Sequence, residues 1–396
     1  MKPPLEGVRL LCLAEQYPGP FATALLADLG ADVVLLERPA GGDPTRAFPG
    51  FHEALARGKR SVVLDLKHPG GRDAFLAMVA GADAVLEGYR PGVMARLGLD
   101  YEALRRVNGQ LVYVSVSGFG QDGPYRDRPG HDLSYQALAG TLYGQLAEHG
   151  RLADGRAPRP TTLELGDLSA GLFTAQAVLL GLVRRDRDGQ GSYIDVSVFD
   201  GLVSLLSAHL PPVLNGTGPP GFPHEPGYAV FRTSDGRLLS LSVAHEDHFW
   251  RRLCTVLGLE REQDLSSAQR LADRERLGAL LAGRIATRTR AEWGRLLTSA
   301  DIPHGDVHDL ADLPADPHVA ARQLLTTVTT GTTGTGGGQE RRFVRQPLKV
   351  DGVGWGPQSG APALGQHTAE VLSEAGLSGE DIRALLASGA ACASAG

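Results

Sequence analysis

The chain has 396 residues, 42% hydrophobic and 21% charged, which is typical of a globular enzyme with two or three domains. A formal net charge of -6 disfavours nucleic acid and acidic membranes as partners, and the three cysteines, at positions 12, 254 and 392, lack the spacing of a zinc site or a disulfide framework. No apolar run approaches the roughly 20 residues that a membrane span needs, and residues 1–6 lack the apolar core of a signal peptide, so we expect a cytoplasmic protein without a metal site.

The N-terminal part alternates between apolar strands and helices. Strands are predicted at residues 8–13, 31–37, 62–66, 84–87 and 111–116, and helices at 21–29 and 70–79. Near-continuous apolar strands separated by helices are typical of a parallel sheet covered on both faces. Such sheets bind ligands at the carboxyl ends of their strands. No Gly-x-Gly-x-x-Gly motif follows the first strand, so the dinucleotide fingerprint is absent. The pattern predicts an α/β fold.

A proline- and glycine-rich segment divides the chain. After a predicted helix (168–185), strand (192–198) and helix (202–210), residues 211–227 hold six prolines and four glycines. This composition is too irregular for a core element, so we place a linker at 213–227, after a large domain over 1–212. A hairpin turning at residues 234–236 and several helices then predict a small domain over 228–325.

A second irregular segment follows the small domain. Residues 326–338 hold seven threonines and five glycines and cannot bury enough apolar surface to order themselves. We therefore predict a flexible Gly/Thr loop over 326–340. Residues 341–396, with a strand-like pattern at 343–350 and helices at 368–375 and 379–388, are predicted to return to the large domain.

Two titratable residues stand beside glycine where loops change to helices. The motifs are Gly130-His131-Asp132 and Gly166-Asp167. At such places backbone N–H groups and a side chain can converge on one small ligand. Each residue also has a structural interpretation, since Asp167 suits a helix N-cap and His131 suits many loop positions.

These motifs resemble the family III CoA-transferase superfamily (CaiB/BaiF type), and within it the α-methylacyl-CoA racemase branch. The resemblance covers nearly the whole chain and includes residues 18–20, 25–33, 57–61, 64–67, 88–93, 118–124, 316–318 and 364–368. It implies a large Rossmann-like domain formed by both chain ends, a smaller α+β domain between them, and an interlocked homodimer.

The resemblance to the racemases implies an acid/base pair, His131 and Asp167, with Glu246 hydrogen-bonded to the histidine from the same or the neighbouring subunit. His131 is the discriminating position, because the formyl-CoA transferase pattern has tyrosine there. Inverting a carbon needs two groups on opposite faces, each able to act as acid or base. We predict a 2-methylacyl-CoA racemase, with backbone N–H groups around Gly166 donating to the enolate oxygen and Asp132 in a supporting hydrogen-bond role.

Two other functions stay open. A CoA transferase would use Asp167 as nucleophile and move CoA between carboxylic acids through an aspartyl-CoA anhydride. A helix start stabilises a carboxylate, which suits that role, whereas a racemase needs Asp167 protonated in half of its cycle. The third possibility is an acyl-CoA-binding protein that has lost catalysis. Glu246 also suits a plain first-turn helix acid.

The resemblance also implies a CoA site. Arg38 is placed near the adenine. The phosphates are assigned to Arg57, Lys59 and Arg96. The pantetheine channel is assigned to Gly88 and Tyr89. The cationic side chains have a simpler interpretation as solvated surface charges. No metal or redox cofactor is implied, since CoA enters as part of an acyl-CoA thioester substrate.

Overall fold

The computed structural model describes residues 1–142, 163–218, 223–330 and 338–394. The chain forms two compact units: unit 1 is Met1–Ser207 with Arg322–Gly396, and unit 2 is Ala208–Ala321. Both chain ends therefore contribute to unit 1, and unit 2 is continuous in sequence. These divisions fall a few residues before the predicted boundaries at 213 and 326.

Unit 1 is built on one seven-stranded sheet. Its strands are β1 (Arg9–Cys12), β2 (Asp32–Glu37), β3 (Arg60–Leu64), β4 (Ala84–Glu87), β5 (Val112–Ser117), β6 (Ser192–Ser197) and β14 (Ala391–Cys392). They lie in the order β14-β3-β2-β1-β4-β5-β6, and all pairs are parallel except β14 with β3. The order of β3 to β6 is that of a doubly wound sheet. The predicted α/β fold is confirmed.

Helices cover both faces of this sheet. Their bounds are α1 (Pro18–Asp28), α2 (Pro49–Ala56), α3 (Pro69–Ala80), α4 (Val93–Leu97), α5 (Tyr101–Val107), α6 (Asp132–Ala139), α7 (Leu165–Asp188), α8 (Val198–Leu205), α15 (Thr368–Glu374) and α16 (Gly379–Ala387), with a 3₁₀ turn at Pro44–Ala47. Because successive strand side chains point to opposite faces, Leu10 packs with α1 and α7, whereas Leu11 packs with α3 and α15.

The helix α7 carries Asp167 near its start and crosses one face of the sheet. Within the described part of the chain it is the one helix that, by length and composition alone, could cross a membrane. The helix is 24 residues long, and 56% of its most apolar 18-residue window is buried. Val178 and Leu182 contribute that burial by packing against strand residues such as Val112.

Unit 2 has its own core. Strands β7 (Tyr228–Arg232), β8 (Leu238–Ser242) and β9 (His304–Asp306) form an antiparallel sheet, and the helices are α9 (Leu210–Leu214), α10 (Asp247–Leu257), α11 (Ser267–Ala272), α12 (Arg274–Ile285), α13 (Arg290–Ser299) and α14 (Pro317–Arg322), with a 3₁₀ turn at Leu313–Ala315. Trp250 and Trp293 are buried at its centre. The predicted hairpin is present as β7 and β8. The strand β9 was not predicted, because His-Gly-Asp carries no apolar alternation.

The threonine-rich segment differs from the prediction. Residues 326–330 belong to β10 (Leu325–Thr330), which pairs with β11 (Gln339–Val344), and a short hairpin of β12 (Lys349–Val350) and β13 (Val353–Gly354) follows. The prediction of a flexible loop is therefore wrong at both ends of the segment. The reason is that β-branched threonines suit extended strands, and that Val328 and Phe343 are buried. Residues 331–337 lie outside the described residues.

The helix predicted at 202–210 begins earlier, as α8. Ser197 caps it by accepting a hydrogen bond from the backbone N–H of Asp200 at 3.1 Å, a standard way of satisfying a first-turn donor.

Candidate active site

A cleft of about 470 Å³ lies at the carboxyl ends of the central strands of unit 1. Its walls come from the loops after β1, β4 and β5 and from the segment before α6, with contributions from Gln16, Tyr89, Ser117, His131 and Asp167. The strands β1 and β4 are neighbours in the sheet. The strand that follows β1 in sequence, β2, lies on one side of this pair, and the strand that follows β4, β5, lies on the other side. This reversal of strand order is where doubly wound sheets bind ligands, so the cleft is the candidate site.

Asp167 is the third residue of α7, and another aspartate fixes the start of that helix. Asp132 Oδ1 accepts hydrogen bonds from the backbone N atoms of Gly166 at 2.7 Å and Asp167 at 3.2 Å. A Cβ atom at Gly166 would lie 2.9 Å from that oxygen, so glycine permits the approach. The N–H groups expected to stabilise an enolate oxygen are therefore already engaged, and that prediction is wrong.

Asp167 itself is a poorly solvated acid. Its carboxyl group accepts no hydrogen bond from the described residues, and burial together with the charges of Asp132 and Glu164 raises its pKa to about 7. We expected the helix start to stabilise the carboxylate. The structure differs first because burial disfavours the charged form of Asp167, and then because the carboxylate of Asp132 occupies the positive end of the helix and repels a second negative charge.

His131 lies in the same cleft, immediately before α6. It is exposed, and its imidazole makes no hydrogen bond or ion pair with any described residue. Its backbone carbonyl accepts from the N–H groups of Ser134 and Tyr135. The Tyr135 hydroxyl donates to the carbonyl of Gly130 at 2.8 Å. The histidine is thus positioned by its backbone, and its side chain is unpaired among the described residues.

Glu246, the third predicted catalytic residue, lies in unit 2 at the N-cap of α10. Its side chain makes no capping bond, and its Oε2 atom is buried without a partner in the described structure. The buried Arg270 fixes the turn by donating to Ala244 O at 3.2 Å and to Asp247 Oδ1 at 2.7 Å. The bond from Glu246 to His131 stays a prediction.

Two of the predicted phosphate ligands are internal. Arg57 donates to Asp28 Oδ2 at 3.0 Å and to Val344 O at 3.1 Å, and Lys59 donates to Pro20 O at 2.8 Å and to Thr23 at 2.7 Å. Both residues are buried, and burial lowers the pKa of Lys59 to about 7. Neither side chain is available to a phosphate, so these two assignments do not fit the structure.

The remaining predicted CoA residues lie at or near the cleft. Gly88 and Tyr89 line it. Arg38 is exposed after β2 and donates to Gly42 O at 2.9 Å. Arg96 is exposed on α4, where its Nη1 would lie 3.3 Å from a Cβ atom built on Gly92.

Sequence reasoning missed three arginines of the cleft wall, Arg90, Arg126 and Arg128. Arg126 approaches the same point above Gly92 as Arg96, with Nη2 at 3.5 Å, and its Nε atom is buried without a partner among the described atoms. The sequence did offer a signal for these arginines. Arg90 lies within the 88–93 motif, and Arg126 and Arg128 shortly precede the 130–132 motif. The arginines make this wall of the cleft suitable for phosphates and carboxylates.

The model of CoA-transferase family III matches residues 5–368. The chain belongs to CoA-transferase family III. Succinate–glutarate CoA-transferase of Agrobacterium fabrum is 33% identical to it over 94% of this chain and 96% of its own length. Acetyl-CoA:oxalate CoA-transferase of Acetobacter aceti is 34% identical over 82% and 86%. A crystal structure of a CaiB/BaiF family protein from Brucella suis superposes with a TM-score of 0.80, at 29% identity, over 95% of this chain and 100% of that one.

These relatives confirm the predicted family and overturn the predicted racemase. The curated relatives are named as CoA-transferases acting on succinate, glutarate, oxalate, mesaconate or citramalate. The racemase prediction depended on the residue types at His131, Asp167 and Glu246, with His131 as the discriminating position. Residue type alone does not define an acid/base pair, and neither the imidazole of His131 nor the carboxylate of Asp167 has a described hydrogen-bond partner.

Proposed function

We propose that this chain transfers coenzyme A between carboxylic acids, with the carboxylate of Asp167 as nucleophile. The observation that carries the proposal is the position of Asp167, a carboxyl group without a described hydrogen-bond donor at the switch-point cleft of a family III CoA-transferase. The names of the relatives support the same reaction class.

The chemistry needs only one carboxylate and two exchanges. Asp167 attacks the thioester carbonyl of the donor, the C–S bond breaks, and CoA thiolate leaves behind a mixed anhydride. The thiolate then attacks the aspartyl carbonyl and expels the donor carboxylate, which gives an aspartyl thioester. An acceptor carboxylate reverses these steps and leaves with CoA. No electron or net proton is exchanged, so the proposal requires only Asp167, the donor thioester of CoA and the acceptor carboxylate.

The surroundings of Asp167 suit this role. Removal from water and the charge of Asp132 make the carboxylate more basic, hence more reactive once ionised. The raised pKa also means that the carboxyl group of Asp167 is ionised in only part of the enzyme molecules at pH 7. Arg90, Arg126 and Arg128 favour an anionic acceptor and the phosphates of CoA in the same cleft.

Trapping of the aspartyl thioester tests the proposal. The enzyme is incubated with succinyl-CoA, treated with borohydride, and digested, and the peptide containing residue 167 is weighed by mass spectrometry. Reduction of the aspartyl thioester to an alcohol is expected in the wild type and in His131→Ala, and not in Asp167→Asn. Transfer of CoA to an added acid by Asp167→Asn would contradict the proposal, as would α-hydrogen exchange in D₂O that depends on His131.

The proposal includes a homodimer. Leu172, Leu180 and Val183 of α7 are 56%, 61% and 57% exposed in the single chain, and large apolar side chains exposed on one helix support burial against a second copy. Light scattering on the purified protein measures the mass, and a monomer at micromolar concentration would remove this part of the proposal.

A further inference from the structure

Glu87 is a buried carboxyl group that the proposed reaction does not use. It ends β4 and is 5% exposed. Its Oε2 accepts a hydrogen bond from the backbone N of Tyr89 at 2.9 Å, and its Oε1 accepts from the hydroxyl of Ser115 on β5. Buried carboxylates are normally paired with a cation. Among the described residues, Glu87 has only these neutral donors.

The Ser115 hydroxyl extends these bonds to the loop after β5. Its Oγ accepts from Gln121 Nε2 at 2.9 Å, and the backbone N of Gln121 donates to Asp195 Oδ2 on β6 at 2.8 Å. One hydrogen-bond network therefore joins the carboxyl ends of β4, β5 and β6, with Glu87 at its buried end.

The loops held by this network line the cleft that contains Asp167. Gly88 and Tyr89 follow Glu87 directly, and Ser117 and Gly118 follow Ser115 by two and three positions. Gly88 is tightly packed, because a Cβ atom there would lie 3.0 Å from Ala14 Cβ, on the loop after β1. A displacement of Tyr89 would therefore change the shape of the cleft.

We propose that Glu87 is a positioning residue, which holds the loops after β4 and β5 in the arrangement that binds coenzyme A. The inference rests on the proposed function, because it treats this cleft as the CoA site. Glu87 itself does not line the cleft, so it acts through Tyr89 and Ser115.

The positioning depends on the charge of Glu87. The groups that face it are Asp195 and Tyr193 on β6, Tyr113 on β5 and Tyr89 on its own loop. Burial, followed by the charge of Asp195, raises the pKa of Glu87 to about 7 against the lowering effect of its two hydrogen bonds. A carboxyl group whose pKa is raised in the ordered structure favours that structure most when it is protonated, so the loops are held less firmly as the pH rises from 6 to 8.

The experiment measures CoA binding by calorimetry in an Asp167→Asn background, which removes turnover and the titration of Asp167. Glu87→Ala is expected to weaken binding about tenfold, since it removes two hydrogen bonds to a charged group. Glu87→Gln keeps an oxygen for the N–H of Tyr89 and is expected to restore binding within about threefold at pH 6. Between pH 6 and 8 the Glu87 protein should lose affinity relative to Glu87→Gln, because only the carboxyl group ionises over this range, and the phosphates of CoA titrate alike in both.

Controls separate positioning from folding. Glu37→Gln changes a buried carboxylate at the end of β2 that is paired with Arg46, and it should leave the ratio of affinities at the two pH values unchanged. Ser115→Ala removes the hydroxyl that donates to Glu87 Oε1 while Glu87 itself is kept, and it should reproduce part of the loss even if Glu87→Ala does not fold. Unchanged affinity in folded Glu87→Ala, or an identical pH ratio in Glu87→Gln, overturns the inference. Because the readout is CoA binding, failure of CoA transfer would refute the proposed function and leave this result standing.

Discussion

Replacing Asp167 by asparagine is expected to stabilise the fold while abolishing CoA transfer. The pKa of Asp167 is raised from 3.8 to about 7. A carboxyl group with a raised pKa favours the native state fully below its unfolded value and loses that contribution as the pH rises through 7. The wild type therefore becomes less stable between pH 4 and 8 relative to a variant that carries no charge at this position.

The size of the effect follows from the shift. One pKa unit corresponds to about 1.4 kcal/mol, so the shift of roughly three units sets an upper limit near 4 kcal/mol above pH 8. Asp167 is partly exposed, and solvent screening lowers the expected difference between pH 5 and pH 8 to roughly 2 kcal/mol.

Urea unfolding of both proteins at pH 5 and pH 8 measures this difference. Effects of the amide that do not depend on charge cancel between the two pH values. Asp186→Asn is the matched control, because it changes an aspartate on the same helix whose side chain is 73% exposed. An advantage of Asp167→Asn that is the same at both pH values would show that the carboxylate is not destabilised by its surroundings.

Three further perturbations test the site. Asp132→Asn keeps an oxygen for the backbone N of Gly166 but removes the charge that helps to raise the pKa of Asp167. The midpoint of the kcat–pH profile should therefore fall by up to about one pH unit. An unchanged midpoint would contradict this electrostatic role. Gly166→Ala places a Cβ atom 2.9 Å from Asp132 Oδ1 and 3.2 Å from Leu202 Cδ1. We expect kcat to fall at least about tenfold, and the free energy of unfolding measured in urea to fall by about 1–3 kcal/mol. The reason is that the well-packed start of α7 has no space for the added methyl group. Arg126→Gln should raise KM for acyl-CoA about tenfold; comparison of CoA with 3′-dephospho-CoA, and of KM for the acid, shows which anion Arg126 contacts, and unchanged KM values for all three would remove it from the binding site.

Apolar runs were sufficient to predict the central sheet. The strands β1 to β5 are short and almost wholly buried, so their composition differs clearly from that of the helices between them. The strands β9 and β14 were missed because pairing at a sheet edge stabilises two or three residues without an apolar pattern. The threonine-rich strand β10 was missed because its order depends on pairing with β11, which lies beyond the intervening glycines.

The site was predictable only in part. Both His131 and Asp167 line one cleft, as their glycine-flanked motifs suggested. What each group bonds to could not be read from sequence. Lys59 sits in a basic motif but donates to Pro20 and Thr23, far along the chain. The pKa of Asp167 depends on its burial and on the charge of Asp132, 35 positions away, and only the fold creates both.

The position of unit 2 within the sequence has a consequence for biosynthesis. Val371, Leu372 and Ile382 pack on the same face of the sheet as Val62 and Leu64, yet the ribosome makes them after all of unit 2. During translation that face of the nascent sheet, and the edge of β3 that β14 later covers, remain open. Unpaired strand edges and apolar faces are the features that promote aggregation. We therefore expect nascent chains that lack residues 368–392 to aggregate more readily than the finished chain, although unit 2, continuous in sequence, has by then been synthesised in full.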